Sequence, residues 1–173
     1  KLYPVGIQDF KKIRTGGYVY VDKTALLHRL VSTGSYYFFG RPRRFGKSLM
    51  ISTLEAYFEG KKELFEGLAM EQLEKDWIER PVLHIDLNSQ EYNSRKSLED
   101  ILDGYLTRWE EQYGRDPGGN SLSLRFGGVI RRAAKQTGQN VAILIDEYDK
   151  PLIQALGNEE LQDEYRNILK AFY

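Results

Sequence analysis

The 173-residue sequence contains no cysteine, which excludes disulfide staples, thiolate zinc sites, iron–sulfur clusters and thiol nucleophiles. Histidine occurs only at His28 and His84, too few and too separated to suggest a histidine-built metal site. Net charge is absent as well. The 25 Lys and Arg residues balance 25 Asp and Glu, so no global basic field argues for nucleic acid or an anionic membrane. No run approaches the roughly 20 apolar residues needed to span a bilayer, and no basic start followed by an apolar stretch marks a signal peptide. A cytoplasmic protein without a membrane segment is the resulting expectation. The chain starts at Lys1 and not at Met, which leaves open a longer gene product.

What is present is ordinary for a globular chain: 41% hydrophobic and 29% charged residues, figures that suggest neither disorder nor a coiled coil. The length fits one domain. Residues 1–17 read as an arm with a helical turn over 8–14, and 18–21 as a short extended segment. Asp22 can accept from free backbone donors at the start of a helix over 24–32. Ser35-Tyr36-Tyr37-Phe38-Phe39 reads as an aromatic strand bounded by glycines. Helices follow over 47–58, 98–113, 122–137 and 159–172, with a short helical excursion between 60 and 76. The first of these is apolar around much of its circumference, as expected of a helix laid against a sheet. Strands are predicted over 82–87 and 141–145, the second continuously apolar and therefore covered on both faces.

Between the aromatic strand and the helix at 47 stands Arg41-Pro42-Arg43-Arg44-Phe45-Gly46-Lys47-Ser48. Its second half completes a phosphate-loop (Walker A) pattern. Gly46 lets the backbone pass close to phosphates, and the amides of a new helix point at them. Lys47 reaches the outer phosphates, and the Ser48 hydroxyl can ligate Mg²⁺. The first half departs from the pattern, because Arg41 stands where the first glycine belongs and Gly40 comes one residue too early. Arg43 and Arg44 supply charge either to phosphate or to a neighbouring carboxylate. Judged alone, Gly-Lys-Ser is also a common start for a structural helix.

The predicted strand at 141–145 runs straight into Asp146-Glu147. Acids at the end of a buried strand need a compensating charge. In a phosphate-loop enzyme Mg²⁺ supplies it: Asp146 holds the metal, and Glu147 orients or deprotonates the attacking water, as a Walker B pair. The plainer alternative is a solvent-facing strand end that caps the next segment of chain. A strand followed by Gly-Lys-Ser and, about a hundred residues later, an apolar strand ending in Asp-Glu together point to nucleotide binding.

Taken together, Tyr3-Pro4-Val5-Gly6-Ile7-Gln8-Asp9-Phe10, Tyr20-Val21-Asp22-Lys23-Thr24, the Arg41–Ser48 loop and Leu144-Ile145-Asp146-Glu147-Tyr148-Asp149-Lys150-Pro151 resemble the bacterial AAA-ATPase-like proteins. These are often found with a C-terminal domain similar to PD-(D/E)XK nucleases. The resemblance implies that the Arg-Pro-Arg-Arg-Phe form is the family's own phosphate loop. Arg43, Arg44, Phe45, Gly46, Lys47 and Ser48 then contact the nucleotide, Ser48 and Asp146 the Mg²⁺, and Lys47 and Glu147 are catalytic. The implied fold is α/β: a three-layer P-loop NTPase of the additional-strand, AAA-like type with a mostly parallel sheet. Residues 1–34 form an arm and helix packed on the core, and 35–173 a partial ATPase domain. The chain is expected to stop before the sensor strand and the arginine that such ATPases take from a neighbouring subunit, so the segment alone need not be active.

The functional expectation is an ATP- and Mg²⁺-dependent ATPase domain coupled to a partner domain or macromolecule, with homo-oligomerisation implied by the arginine donor. The alternative is a nucleotide-dependent regulatory or interaction module with negligible hydrolysis. Nucleic acid is not supported, since Trp77, Trp109 and the 12 tyrosines form no regular pattern with basic groups. Phe10 is read as a core residue, with stacking on a base as the alternative. Asp86 is read as structural, and Asp149 and Lys150 as an ion pair beside the site, a partner contact or solvated charges.

Overall fold

The chain divides into two units, Lys1–Val82 and Leu83–Tyr173, in a computed structural model that describes residues 2–40, 45–88 and 90–173. In the first unit acids mark the starts of three helices. Asp9 accepts from the Lys12 amide at 2.8 Å and opens α1 (Phe10–Thr15). Asp22 Oδ1 accepts from the Thr24 amide at 2.8 Å and the Thr24 hydroxyl at 2.7 Å, fixing the start of α2 (Thr24–Thr33). After α3 (Lys47–Phe58) and a 3-10 turn (Lys62–Phe65) comes α4 (Ala69–Leu73). The other oxygen of Asp22 reaches this last helix and accepts from the Ala69 amide at 2.7 Å, while Thr24 Oγ1 accepts from the Met70 amide at 3.0 Å. One carboxylate thus satisfies free donors at two helix starts.

The core of this unit gathers Phe10, Ile13, Leu54, Phe65 and Met70, all buried. The Phe10 ring lies 4.9 Å from Phe65 and 5.2 Å from Tyr20, and Phe65 lies 5.1 Å from Trp77. Ser52 Oγ accepts from the Phe10 amide at 2.9 Å and ties α1 to α3.

In the second unit β1 (Val82–Asp86), which starts at the boundary, pairs with β2 (Ala142–Asp146). The Leu87 amide donates to the Asp146 carbonyl at 3.1 Å, so the carboxyl ends of the two strands lie side by side and the pair is parallel. The crossover consists of α5 (Arg95–Tyr113) and α6 (Leu122–Thr137). Ser121 caps α6 by accepting from the Leu124 amide at 3.3 Å, and Gly138 ends it at a φ of 69°, in the left-handed region that favours glycine. The short α7 (Lys150–Gln154) and then α8 (Glu159–Phe172) complete the unit, the latter capped by Asn158. Leu83, Ile85, Leu98, Leu102, Leu106, Val129 and Tyr165 are among the buried side chains that pack into one core.

The expected three-layer, sheet-rich P-loop fold is contradicted. Of the described residues 54% are helical and 6% are in strands, and the sheet has two strands. The aromatic segment 35–39 is not a strand: Tyr36 is 97% and Phe38 75% exposed. Strand propensity expresses fit to a paired, half-buried surface, and the aromatics here lack that burial. Nor is β2 covered on both faces, since Ile143, its second residue, is 40% exposed. Both strands alternate in burial, the pattern of a sheet packed on one side. Within its unit α3 lies against α1.

Candidate functional site

Two sequence-predicted sites fall in different units. In the first, Gly46 stands immediately before α3 with φ 73°, a left-handed conformation that glycine adopts without steric cost. No side chain among the described residues caps this helix. Lys47 and Ser48 are its first two residues and are half-buried, and Phe45 is exposed. The backbone amides of this helix start are therefore without a side-chain cap among the described residues, the arrangement that suits an anion. Arg43 and Arg44 lie outside the described residues.

In the second unit the carboxyl ends of β1 and β2 bring together residues that the sequence separates by about 60 positions. Asp146, the last residue of β2, is 7% exposed, and its Oδ1 accepts from the Glu147 amide at 3.0 Å. Glu147 adopts φ 53°, rare for a residue with a side chain and a store of backbone strain. The turn closes by a bond from the Lys150 amide to the Glu147 carbonyl at 3.0 Å. Lys150 Nζ crosses to the turn after β1, donating to the Asn88 carbonyl at 2.6 Å and to Asn88 Oδ1 at 2.9 Å. Asp86 Oδ1 in turn accepts from the Asn88 amide at 2.8 Å, a structural use of that acid. Asp149 and Lys150 do not form the ion pair weighed from sequence. Burial, and secondarily the Asp149 charge, push the Tyr148 phenol up from its ordinary range.

Asn88 is a neighbour of the Asp146–Lys150 turn that sequence reasoning missed, because its link to Lys150 spans 62 positions and arises only from strand pairing. Phe10 is fully buried among Tyr20 and Phe65, so its ring is a core element and has no face open to a base. Among the described residues no three acidic or histidine side chains cluster as a metal site, and no helix is long and apolar enough to cross a membrane.

An uncharacterized protein encoded in the vnfD 5' region of Azotobacter chroococcum mcd 1 is 41% identical to this chain over 175 residues. The match covers 100% of the chain and 34% of that protein, so the chain spans about a third of its relative's length. No solved structure matches the chain. The family model described as "Predicted AAA-ATPase" matches residues 4–173, and the chain therefore belongs to the AAA-ATPase-like family, a family of NTPase type.

Proposed function

We propose that the chain binds ATP with Mg²⁺ and serves as the ATPase segment of a larger protein. The observation that carries this reading is the start of α3: glycine in the left-handed region, then Lys47 and Ser48 in the first turn of a 12-residue helix with no side-chain cap among the described residues. Phosphate oxygens are the partners such amides suit, and Lys47 adds a compact cation for the outer phosphates. Arg43, Arg44 and Phe45 complete the loop's contacts with the nucleotide.

Each proposed donor, taken by itself, has chemistry that suits Mg²⁺. Ser48 and Asp146 offer hard oxygen ligands, and Mg²⁺ is typically bound by one or two protein oxygens together with phosphates and water. The bound cation would neutralise phosphate charge. Asp146 is well suited to it, being buried at a strand end with a carboxylate that needs a compensating charge. Glu147 orients the attacking water and accepts its proton, and the rigid turn that imposes φ 53° on this residue supports that role. The greater length of the Azotobacter protein supports coupling of the nucleotide cycle to a further domain.

The test compares the intact protein with Lys47→Ala and Glu147→Gln. Calorimetry with Mg-ATP is expected to show binding that Lys47→Ala weakens about tenfold or more, roughly 1.4 kcal/mol. Phosphate release is expected to be lost in both variants while Glu147→Gln still binds. Equal release by all three would sink the ATPase reading, and binding without release in the wild type would favour a regulatory nucleotide module.

A further inference from the structure

Glu147 holds φ 53°, a conformation that persists in a residue with a side chain only where its surroundings over-determine it. Two of the bonds around it are local. Its amide donates to Asp146 Oδ1 at 3.0 Å, and its carbonyl accepts from the Lys150 amide at 3.0 Å. Such bonds shape the turn between β2 and α7 but do not tie it to the other strand. The Lys150 side chain does. Its Nζ donates to the Asn88 carbonyl at 2.6 Å and to Asn88 Oδ1 at 2.9 Å, two bonds from one ammonium into the turn after β1, and bonds from a charged donor are the stronger kind. Asn88 is held in its turn, because its amide donates to Asp86 Oδ1 at 2.8 Å. Lys150 therefore grips the Glu147 carbonyl through its backbone and the neighbouring strand end through its side chain. All of these residues belong to the second unit.

The geometry points to Lys150 as a positioning residue: clamped on Asn88, it holds the β2 turn so that the Glu147 carboxylate keeps the placement its catalytic role requires. This rests on the ATPase reading given above. The role needs no contact between Lys150 and the nucleotide. Loosening the clamp lets the Glu147 carboxylate drift, and a misplacement of about 1 Å in a reacting group can cost on the order of a hundredfold in rate.

The deciding experiment measures steady-state phosphate release by the intact protein and by Lys150→Met, Lys150→Arg, Asn88→Ala and the double variant Lys150→Met with Asn88→Ala. Methionine keeps most of the side chain's length and none of its donors. Lys150→Met is expected to lower kcat by about tenfold or more, with KM for Mg-ATP within about twofold of wild type. Lys150→Arg restores a charged donor of similar reach and is expected to recover most of kcat. Asn88→Ala leaves the carbonyl acceptor and is expected to lower kcat less. The double variant should fall no further than Lys150→Met, because the two side chains act as one unit. In the ligand-free protein, Lys150→Met should quicken amide exchange at position 150 and leave it unchanged within β1 and β2. An unchanged kcat in Lys150→Met, a loss that falls on KM instead, or multiplying losses in the double variant overturns the assignment. Faster exchange throughout both strands overturns it as well, since that marks a weakened fold and not a loosened turn. A wild-type protein that releases no phosphate defeats the ATPase reading itself. Release that Glu147→Gln abolishes and Lys150→Met retains in full defeats the Lys150 assignment alone.

Discussion

Arg125 on α6 grips Glu110 on α5 with two parallel bonds, Nε to Oε1 at 3.0 Å and Nη2 to Oε2 at 2.8 Å. Both residues are under a tenth exposed, and Asp103 adds a second carboxylate to the same guanidinium. The pair joins the two helices that carry the chain from β1 to β2. Arg125→Met or Glu110→Leu alone leaves a buried charge without its partner and is expected to cost about 3–5 kcal/mol. Arg125→Met with Glu110→Leu is expected to recover most of that loss. Chemical denaturation of the four proteins measures the cycle, and additive losses in the double variant would contradict a coupled pair.

The same pair sets an acid limit. The Arg125 hydrogen bonds, helped by its charge and by Arg115 and Arg132, outweigh burial and hold the Glu110 carboxyl below its usual range. A depressed folded-state pKa stabilises the native protein above the unfolded value and loses that contribution as pH falls through the folded one. Unfolding free energy is therefore expected to decline as pH drops below about 4.5, the usual glutamate value. Denaturation midpoints between pH 7 and pH 3 should show a smaller decline in Glu110→Gln than in wild type.

Phe10 sits in one of the family-like stretches of sequence, yet it is completely buried against Phe65 and Tyr20. Phe10→Ala is expected to destabilise the protein by about 3–5 kcal/mol, as for a large aromatic removed from a core. Phe10→Leu should recover a good part of this. Measured under conditions where it is folded, Phe10→Leu should keep wild-type affinity for Mg-ATP. An affinity loss without a stability loss would instead favour a base-stacking role.

The helices were the legible part of this chain. The spans read from caps and apolar spacing as 47–58, 122–137 and 159–172 match α3, α6 and α8, because Gly46, Ser121 and Asn158 act locally on the residues after them. Gly127 and Gly128 lie inside α6; a Cβ at Gly128 would come within 2.9 Å of the Arg132 guanidinium, so the absent side chain makes room for packing. Strands were legible only where they pair. Residues 35–39 carry stronger aromatic strand propensity than 82–86, but pairing is decided by distant partners and no local pattern encodes it. At the candidate site, the sequence located Asp146 and Glu147 at a strand end. It could not supply the Lys150–Asn88 link or the left-handed backbone at Glu147.

Asp22 makes a test of how far one acid can organise the first unit. Burial opposes its ionisation, but hydrogen bonds from the Ala69 and Thr24 amides and the Thr24 hydroxyl outweigh this and hold its carboxyl below the usual range. Asp22→Ala removes acceptors from two helix starts and is expected to cost about 1–2 kcal/mol, the scale of a lost cap. Asp22→Asn should lose less. Amide exchange would show the effect as faster exchange at Thr24, Ala69 and Met70; protection unchanged at Ala69 would contradict the bridge between α2 and α4.

Glu147 combines a catalytic proposal with a strained backbone, and two substitutions separate them. Glu147→Ala and Glu147→Gly both remove the carboxylate, so neither is expected to release phosphate. They differ at φ 53°, where a Cβ crowds the following carbonyl and glycine is free of that clash. Glycine loses more backbone entropy on folding, which offsets part of the gain. The net expectation is that Glu147→Gly is more stable than Glu147→Ala by about 1 kcal/mol, the reverse of their order in an ordinary helix. If alanine proves the more stable, the turn is not held in the left-handed region in solution, and the rigid placement assigned to the Glu147 carboxylate fails with it.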